Sequence, residues 1–264
     1  MARRLAFLGL VVVGLCIVLA ASSFSLATQP AAERPPWLGT RVLPTGQDGF
    51  GEVRPTPDEL RDRQLPPPEG QPPADGDEFR STIDPVPRQV VERSTWSPQC
   101  PVAVADLRYL TLSYWGFDQR PHRGEMLVHA SVAKDVATVF RRLYEARFPI
   151  EEMRVVTLAE LDAPPTGDGN NTTAFVCRAT TGGTSWSQHA YGLAIDVNPF
   201  HNPYVKGSLV LPELASAYAD RGWRRPGMIF AGDKVTGAFG SIGWGWGGTG
   251  RSIKDWMHFS RNGH

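Results

Sequence analysis

Two stretches of the chain gather residue types that hold metals and move protons. The first is Ser187-Gln188-His189-Ala190-Tyr191-Gly192-Leu193-Ala194-Ile195-Asp196, and the second is Asp255-Trp256-Met257-His258. Leu193, Ile195 and Val197 alternate with Ala194, Asp196 and Asn198, the period of a strand, so Asp196 falls on the polar face. A half-buried carboxylate needs a partner of positive charge. Ala194, its neighbour on that face, is small and leaves room for one. Gly192 would let the chain turn so that His189 reaches the same point. Near the end, Met257 and Phe259 read as inward-facing, which leaves His258 on a polar face. Two imidazoles and one carboxylate make three N/O ligands, and catalytic zinc sites commonly use three protein ligands with a fourth position open to water. On spacing alone a plainer reading stays open. No regular His-x-x-x-His pattern is present, a lone strand histidine is usually a satisfied structural one, and Asp196-Val197-Asn198-Pro199 is also turn chemistry. His201 lies close enough in sequence to be a spare ligand but reads as structural. His122, His129 and His264 read as loop, helix-preceding and terminal residues.

The elements that must position these groups are short. Val132, Val136, Val139, Phe140 and Leu143 recur at helical spacing, which predicts an amphipathic helix over 131–147 with Ser131 as its cap. Pro212 to Arg221 reads as a second helix, opened by proline and closed by Gly222. Strands are expected over 193–198 and 257–260, and Gly243-Trp244-Gly245-Trp246-Gly247-Gly248 reads as a strand entering a loose turn. Helices mixed with short strands, without β-α-β alternation, indicate an α+β fold with a small antiparallel sheet.

The chain divides by composition into three parts. Met1 to Arg4 is basic and Leu5 to Ala21 is continuously apolar or small. Ser25-Leu26-Ala27 follows with a small-x-small pattern, so residues 1–27 read as a secretory signal. Retention of that run as a membrane anchor remains open, since its length reaches the lower limit for a spanning helix. Either way the rest is expected outside the cytoplasm, secreted or in the cell envelope. Residues 28–99 hold 14 of the 23 prolines, with 12 acids and 8 bases, and read as an extended, disordered spacer without chemistry. A chain beginning near Val90 is then expected to suffice for activity. Residues 100–264 contain six of the eight tryptophans and all six histidines and form the expected single domain. With Cys16 inside the signal, Cys100 and Cys177 remain as an even pair in an oxidising space and are expected to form a disulfide. Lys plus Arg and Asp plus Glu number 27 each, giving zero net charge, which argues against a nucleic-acid binder.

The pattern Ser187-x-His189-x-x-Gly192-x-Ala194-x-Asp196, followed by Asp255-x-x-His258, resembles that of bacterial cell-wall zinc peptidases. These are the D-alanyl-D-alanine carboxypeptidases, D,D-dipeptidases and L-alanyl-D-glutamate endopeptidases (VanY-like enzymes). Ser185-Trp186, Asn198-Pro199, Asn202-Pro203-Tyr204 and the Gly243–Gly248 run extend the likeness toward the endopeptidase-type subgroup. It spans roughly Gly124 to Phe259 and excludes the proline-rich part. The resemblance implies a Hedgehog/D,D-peptidase-like fold with a single zinc site. It places Zn2+ on His189, Asp196 and His258, the general base on Asp255, and the residue holding the scissile carbonyl oxygen on Arg178. Ser187 would sit behind the ligands or touch substrate, and Trp186, Trp246 and Trp256 would wall the cleft. The implied substrates are peptidoglycan stem peptides, cut at L-Ala-D-Glu or at D-Ala-D-Ala by a monomer. Asp255 stands where the dipeptidase branch has Glu, which favours stem-peptide cleavage over hydrolysis of free D-Ala-D-Ala. The alternative is a non-catalytic zinc-bearing binding module of the same fold, as in the signalling domain of Hedgehog proteins. The complete set of ligands, base and arginine favours the enzyme.

Overall fold

The computed structural model describes residues 33–72, 74 and 76–263. The expected export signal lies outside them. Two short helices, α1 (Asp58–Arg61) and α2 (Arg88–Arg93), flank strand β1 (Ser81–Pro85). The long hairpin β2 (Leu107–Trp115) and β3 (Pro121–His129) completes an antiparallel sheet in the order β1-β2-β3. Leu110 and Met126 face each other across the hairpin. Helix α3 (Ala133–Glu145) covers their side of the sheet with Val136, Val139, Phe140 and Leu143, all buried with Val132 in the main core. This is the apolar stripe read from the sequence. Ser131 is not the cap, however. It lies in a 3-10 turn whose own cap is His129, where the imidazole Nδ1 accepts from the Ser131 backbone N–H.

The rest of the domain is built from very short pieces. Strands β4 (Glu152–Met153) and β5 (Asn171–Thr172) pair in parallel, and α4 (Leu158–Leu161) between them starts with a reciprocal Thr157–Glu160 cap. Strands β6 (Ala194–Asp196), β7 (Tyr204–Lys206) and β8 (Leu209–Leu211) follow, then helix α5 (Lys234–Gly240) and strands β9 (Gly245–Trp246), β10 (Ile253–Asp255) and β11 (His258–Ser260). They form two small antiparallel sheets, ordered β6-β11-β9 and β10-β7-β8. The architecture is α+β. The helix expected over 212–221 is reduced to a 3-10 turn, Ser216–Tyr218. Its backbone is claimed from outside: Thr56 Oγ1 donates to Leu214 O and accepts from Ala217 N–H. A side chain from distant sequence thus bonds groups that a regular helix would pair internally.

Thr56 belongs to the proline-rich part, which is not an extended spacer. Leu43, Leu60 and Leu65 are buried in one cluster with Phe200, Leu214, Tyr218 and Met228. Strand β1 pairs along five residues with β2. Arg63 reaches Glu151 through two short hydrogen bonds, Nε–Oε2 at 2.7 Å and Nη2–Oε1 at 2.8 Å, with both side chains at 2% exposure or less. Burial opposes the charge on Glu151, but Arg63 overcomes it and holds the carboxyl below its ordinary range. Proline density misled the reading because only a few apolar anchors are needed once a folded partner surface is available. Prolines also lose little backbone freedom on ordering. No helix among the described residues is long and apolar enough to cross a membrane.

A chain beginning at Val90 is therefore expected to lose cooperative thermal unfolding, read by circular dichroism, because it lacks Leu43, Leu60, Leu65 and Arg63. A transition as sharp and as high as that of the longer chain would return this segment to the role of a spacer. Within the intact chain, Arg63→Leu is expected to cost about 3–5 kcal/mol in denaturant titration, because it leaves the buried Glu151 with only the partly exposed Arg34 as countercharge. The Arg63→Leu/Glu151→Leu double variant should recover most of that loss.

Candidate metal centre

Strands β6 and β11 pair so that Asp196 stands directly opposite His258 and Ile195 opposite Phe259. Opposite residues of an antiparallel pair share a face. Ile195 and Phe259 therefore enter the core, and Asp196 and His258 are turned together to the other side. His189 arrives from the 3-10 turn Gln188–Tyr191 just before β6. Ser187 caps that turn, its hydroxyl accepting from the His189 backbone N–H. Gly192 ends it at φ +67°, and a Cβ there would lie 2.6 Å from the backbone nitrogen of His129. Only glycine suits both the conformation and the space.

The three side chains converge. His258 Nδ1 lies 3.0 Å from Asp196 Oδ1, and His189 Nε2 lies 3.1 Å from Asp196 Oδ2 and 3.2 Å from His258 Nδ1. Donor atoms about 2.0–2.2 Å from a tetrahedral zinc sit on the order of 3.3 Å apart, so this set is about the right size. Its hydrogen bonding makes the same case. His189 Nδ1 lies 2.5 Å from the carbonyl oxygen of Ala174, which can only accept. The neutral ring therefore carries its proton there and turns a lone pair on Nε2 toward the carboxylate. Lone pairs facing one another need a cation or a proton between them. Without an ion a proton fills that role: burial works against charge on Asp196, but positive charge on the two imidazoles overcomes it and holds its carboxyl well below the usual range. Among the described residues, these three are the group placed to hold a metal ion.

They open into a cleft of about 660 Å3. Asp255, on β10, lines it. Its Oδ1 is buried and has no hydrogen-bond partner among the described residues. Burial first, and the charge of Asp196 second, push its carboxyl up to about 7, against the opposing pull of His258 and Arg178. Gly247 makes room for it: a Cβ at that position would lie 2.8 Å from the Asp255 Cβ. Arg178 also lines the cleft. It bonds only the carbonyl of Ala179 and the hydroxyl of Thr181, and it pairs with no carboxylate among the described residues. Cys177 beside it is joined to Cys100, and its backbone N–H donates to Thr95 Oγ1 at 3.0 Å. From that anchor the chain runs out and back as a hairpin. Ser187 N–H donates to Arg178 O at 3.2 Å, and Thr180 N–H to Ser185 O at 2.8 Å. One hairpin therefore carries Arg178 at one end and the cap of His189 at the other.

Residues 180–261 match the family model described as D-alanyl-D-alanine carboxypeptidase. The match supports the resemblance read from the sequence and identifies a segment of the peptidase kind. It covers less than half of the chain, and contains His189, Asp196, Asp255 and His258 but not Arg178. No curated protein and no solved structure gave a significant match.

The tryptophans divide. Trp186 lies on the hairpin, 41% exposed, and lines the cleft. Trp246 and Trp256 do not. Trp246 is paired with Phe259, so it shares that residue's core-facing side, and its indole N–H donates to Trp256 O. The Trp256 ring lies under the Arg221 guanidinium. Met257, read as inward, also lines the cleft. His201 is fully buried elsewhere, bonded to Arg63 O and Asn170, and burial pushes it down to about 4. Tyr204, Leu211 and Ile253 line the cleft as well; from sequence Tyr204 entered only through the Asn202-Pro203-Tyr204 likeness, and the other two were not singled out. The short apolar–polar alternation of 203–206 was the available signal.

The raised pKa of Asp255 has a measurable cost. Between its ordinary value of 3.8 and about 7, the folded chain keeps a proton that the unfolded chain has lost. The stability of the metal-free protein therefore falls across that window and is level above it. Asp255→Asn removes this loss. In denaturant melts the metal-free variant should exceed the metal-free parent near pH 8 and match it near pH 4. Equal stability at both pH values would show that the carboxyl is not held protonated.

Proposed function

We propose that the protein is a zinc-dependent peptidase that hydrolyses peptide bonds in peptidoglycan stem peptides. The carrying observation is the convergence of His189, Asp196 and His258 in the same cleft as the buried, high-pKa carboxyl of Asp255. His189, Asp196 and His258 would hold the ion. When bound, zinc polarises a carbonyl and lowers the pKa of water to about 7. The chain's own groups do the rest. Asp255 accepts a proton from the attacking water and passes it to the leaving amine; a pKa near neutrality makes both transfers accessible. The Arg178 guanidinium, which forms no ion pair among the described residues, holds the carbonyl oxygen as charge develops on it. Ser187 keeps His189 in place through its cap, and Trp186 offers an apolar wall at the rim. The family match and the motif likeness support a cell-wall substrate. The joined cysteines and the N-terminal apolar run support an extracytoplasmic location. We place the fold with the Hedgehog/D,D-peptidase group on the same grounds.

Incubating the zinc-loaded protein with purified peptidoglycan fragments is expected to yield hydrolysed stem peptides by mass spectrometry, and chelation should abolish the products. Intact fragments in the presence of stoichiometric bound zinc would overturn the reading in favour of a binding module. Two variants separate binding from chemistry. His258→Ala is expected to lose zinc by elemental analysis. Asp255→Asn should retain zinc while turnover drops by about 10²–10⁴-fold.

A further inference from the structure

The face of the β10-β7-β8 sheet toward the cleft is a row set by register. Asp255 stands opposite Tyr204, and Tyr204 opposite Leu211. Opposite residues share a face, and all three line the cleft, joined by Ile253 two positions before Asp255. Leu211 and Ile253 are apolar. Tyr204 is the only row member besides Asp255 with a polar group to offer. No hydrogen bond to its hydroxyl is made by the described residues. Burial raises its pKa, and the charge of Asp255 raises it further, so the phenol is a neutral donor that lies within reach of the Asp255 field. A hydroxyl donor on a half-buried side chain lining a cleft, beside a proton-moving carboxyl and without a partner among the described residues, is a group waiting for an acceptor.

We propose that Tyr204 is a further catalytic residue, whose hydroxyl donates a hydrogen bond to the reacting peptide group while Asp255 moves the proton. The assignment rests on the peptidase reading above. Cross-strand pairing explains why the position suits this work. Tyr204 and Asp255 are fixed to each other by the backbone ladder between β7 and β10, not by a loop, so a peptide placed for Asp255 is placed for Tyr204 too. The bond would strengthen as negative charge builds on the substrate, so its effect falls on turnover and not on ground-state binding.

Tyr204→Phe removes only the hydroxyl and keeps the ring in its row. In the zinc-loaded protein acting on a stem peptide, kcat is expected to fall about 10–100-fold with KM within about twofold, and zinc content should be unchanged. Calorimetry with a non-hydrolysable phosphinate peptide should show weakened binding by a similar factor, while affinity for the cleaved product is kept. Unchanged kcat, or a loss confined to KM, would overturn the proposal. Absence of turnover in the parent protein as well would remove the peptidase reading itself, and this proposal with it.

Discussion

Three electron-rich groups held within about 3 Å of one another set the terms for the rest of the site. Left in water, His189, Asp196 and His258 would each turn to solvent. Here the β6–β11 ladder fixes two of them and a capped 3-10 turn fixes the third. The His189 tautomer is locked from behind by Ala174, so its ring cannot relieve the crowding by exchanging its donor and acceptor nitrogens. An arrangement of this kind is stable only if the backbone around it is over-determined. The features near it do that work: glycine at 192 where no Cβ fits, Ile195 and Phe259 buried behind the ladder, and a disulfide at the root of the hairpin. Pre-organisation of this sort is what a metal site needs, since the ligands spend little free energy moving together when the ion arrives.

Much of this was legible in the sequence, and the reason is local. Alternation over Leu193–Asn198 and Met257–Ser260 sets which side of a strand Asp196 and His258 occupy, whatever the strand pairs with. The stripe of α3 is visible for the same reason. Gly192 announced a turn by its type. What failed depended on partners that no local pattern names. The 212–221 segment had a helix's punctuation but gives backbone groups to Thr56, over 150 residues earlier. Trp246 and Trp256 stand in a motif beside the site, yet register turns one to the core and an arginine covers the other. Tyr204 was within the motif likeness but became informative only once β7 was laid beside β10.

The proline-rich segment shows the limit of compositional reasoning most clearly. Low apolar content does mean that such a stretch cannot build a core of its own. It does not stop the stretch from completing someone else's. Leu43, Leu60 and Leu65 fill a cluster whose other half comes from residues 200–228, and Arg63, joined by Arg34, supplies the countercharge for the buried carboxyl of Glu151. The C-terminal half was read as holding its whole core, but part of that core is shared with the proline-rich segment.

That arrangement has a kinetic consequence. The Arg63–Glu151 pair, the Thr56–Leu214 bond, the Cys100–Cys177 link and the Asp196–His258 ladder each join points separated by tens to more than a hundred residues. The closure entropy of such loops comes due before their contacts return anything. The segment from Leu43 to Leu65 therefore has little to fold against until residues 200–228 are present. A polypeptide with this contact order acquires a competent cleft only once its whole length is present.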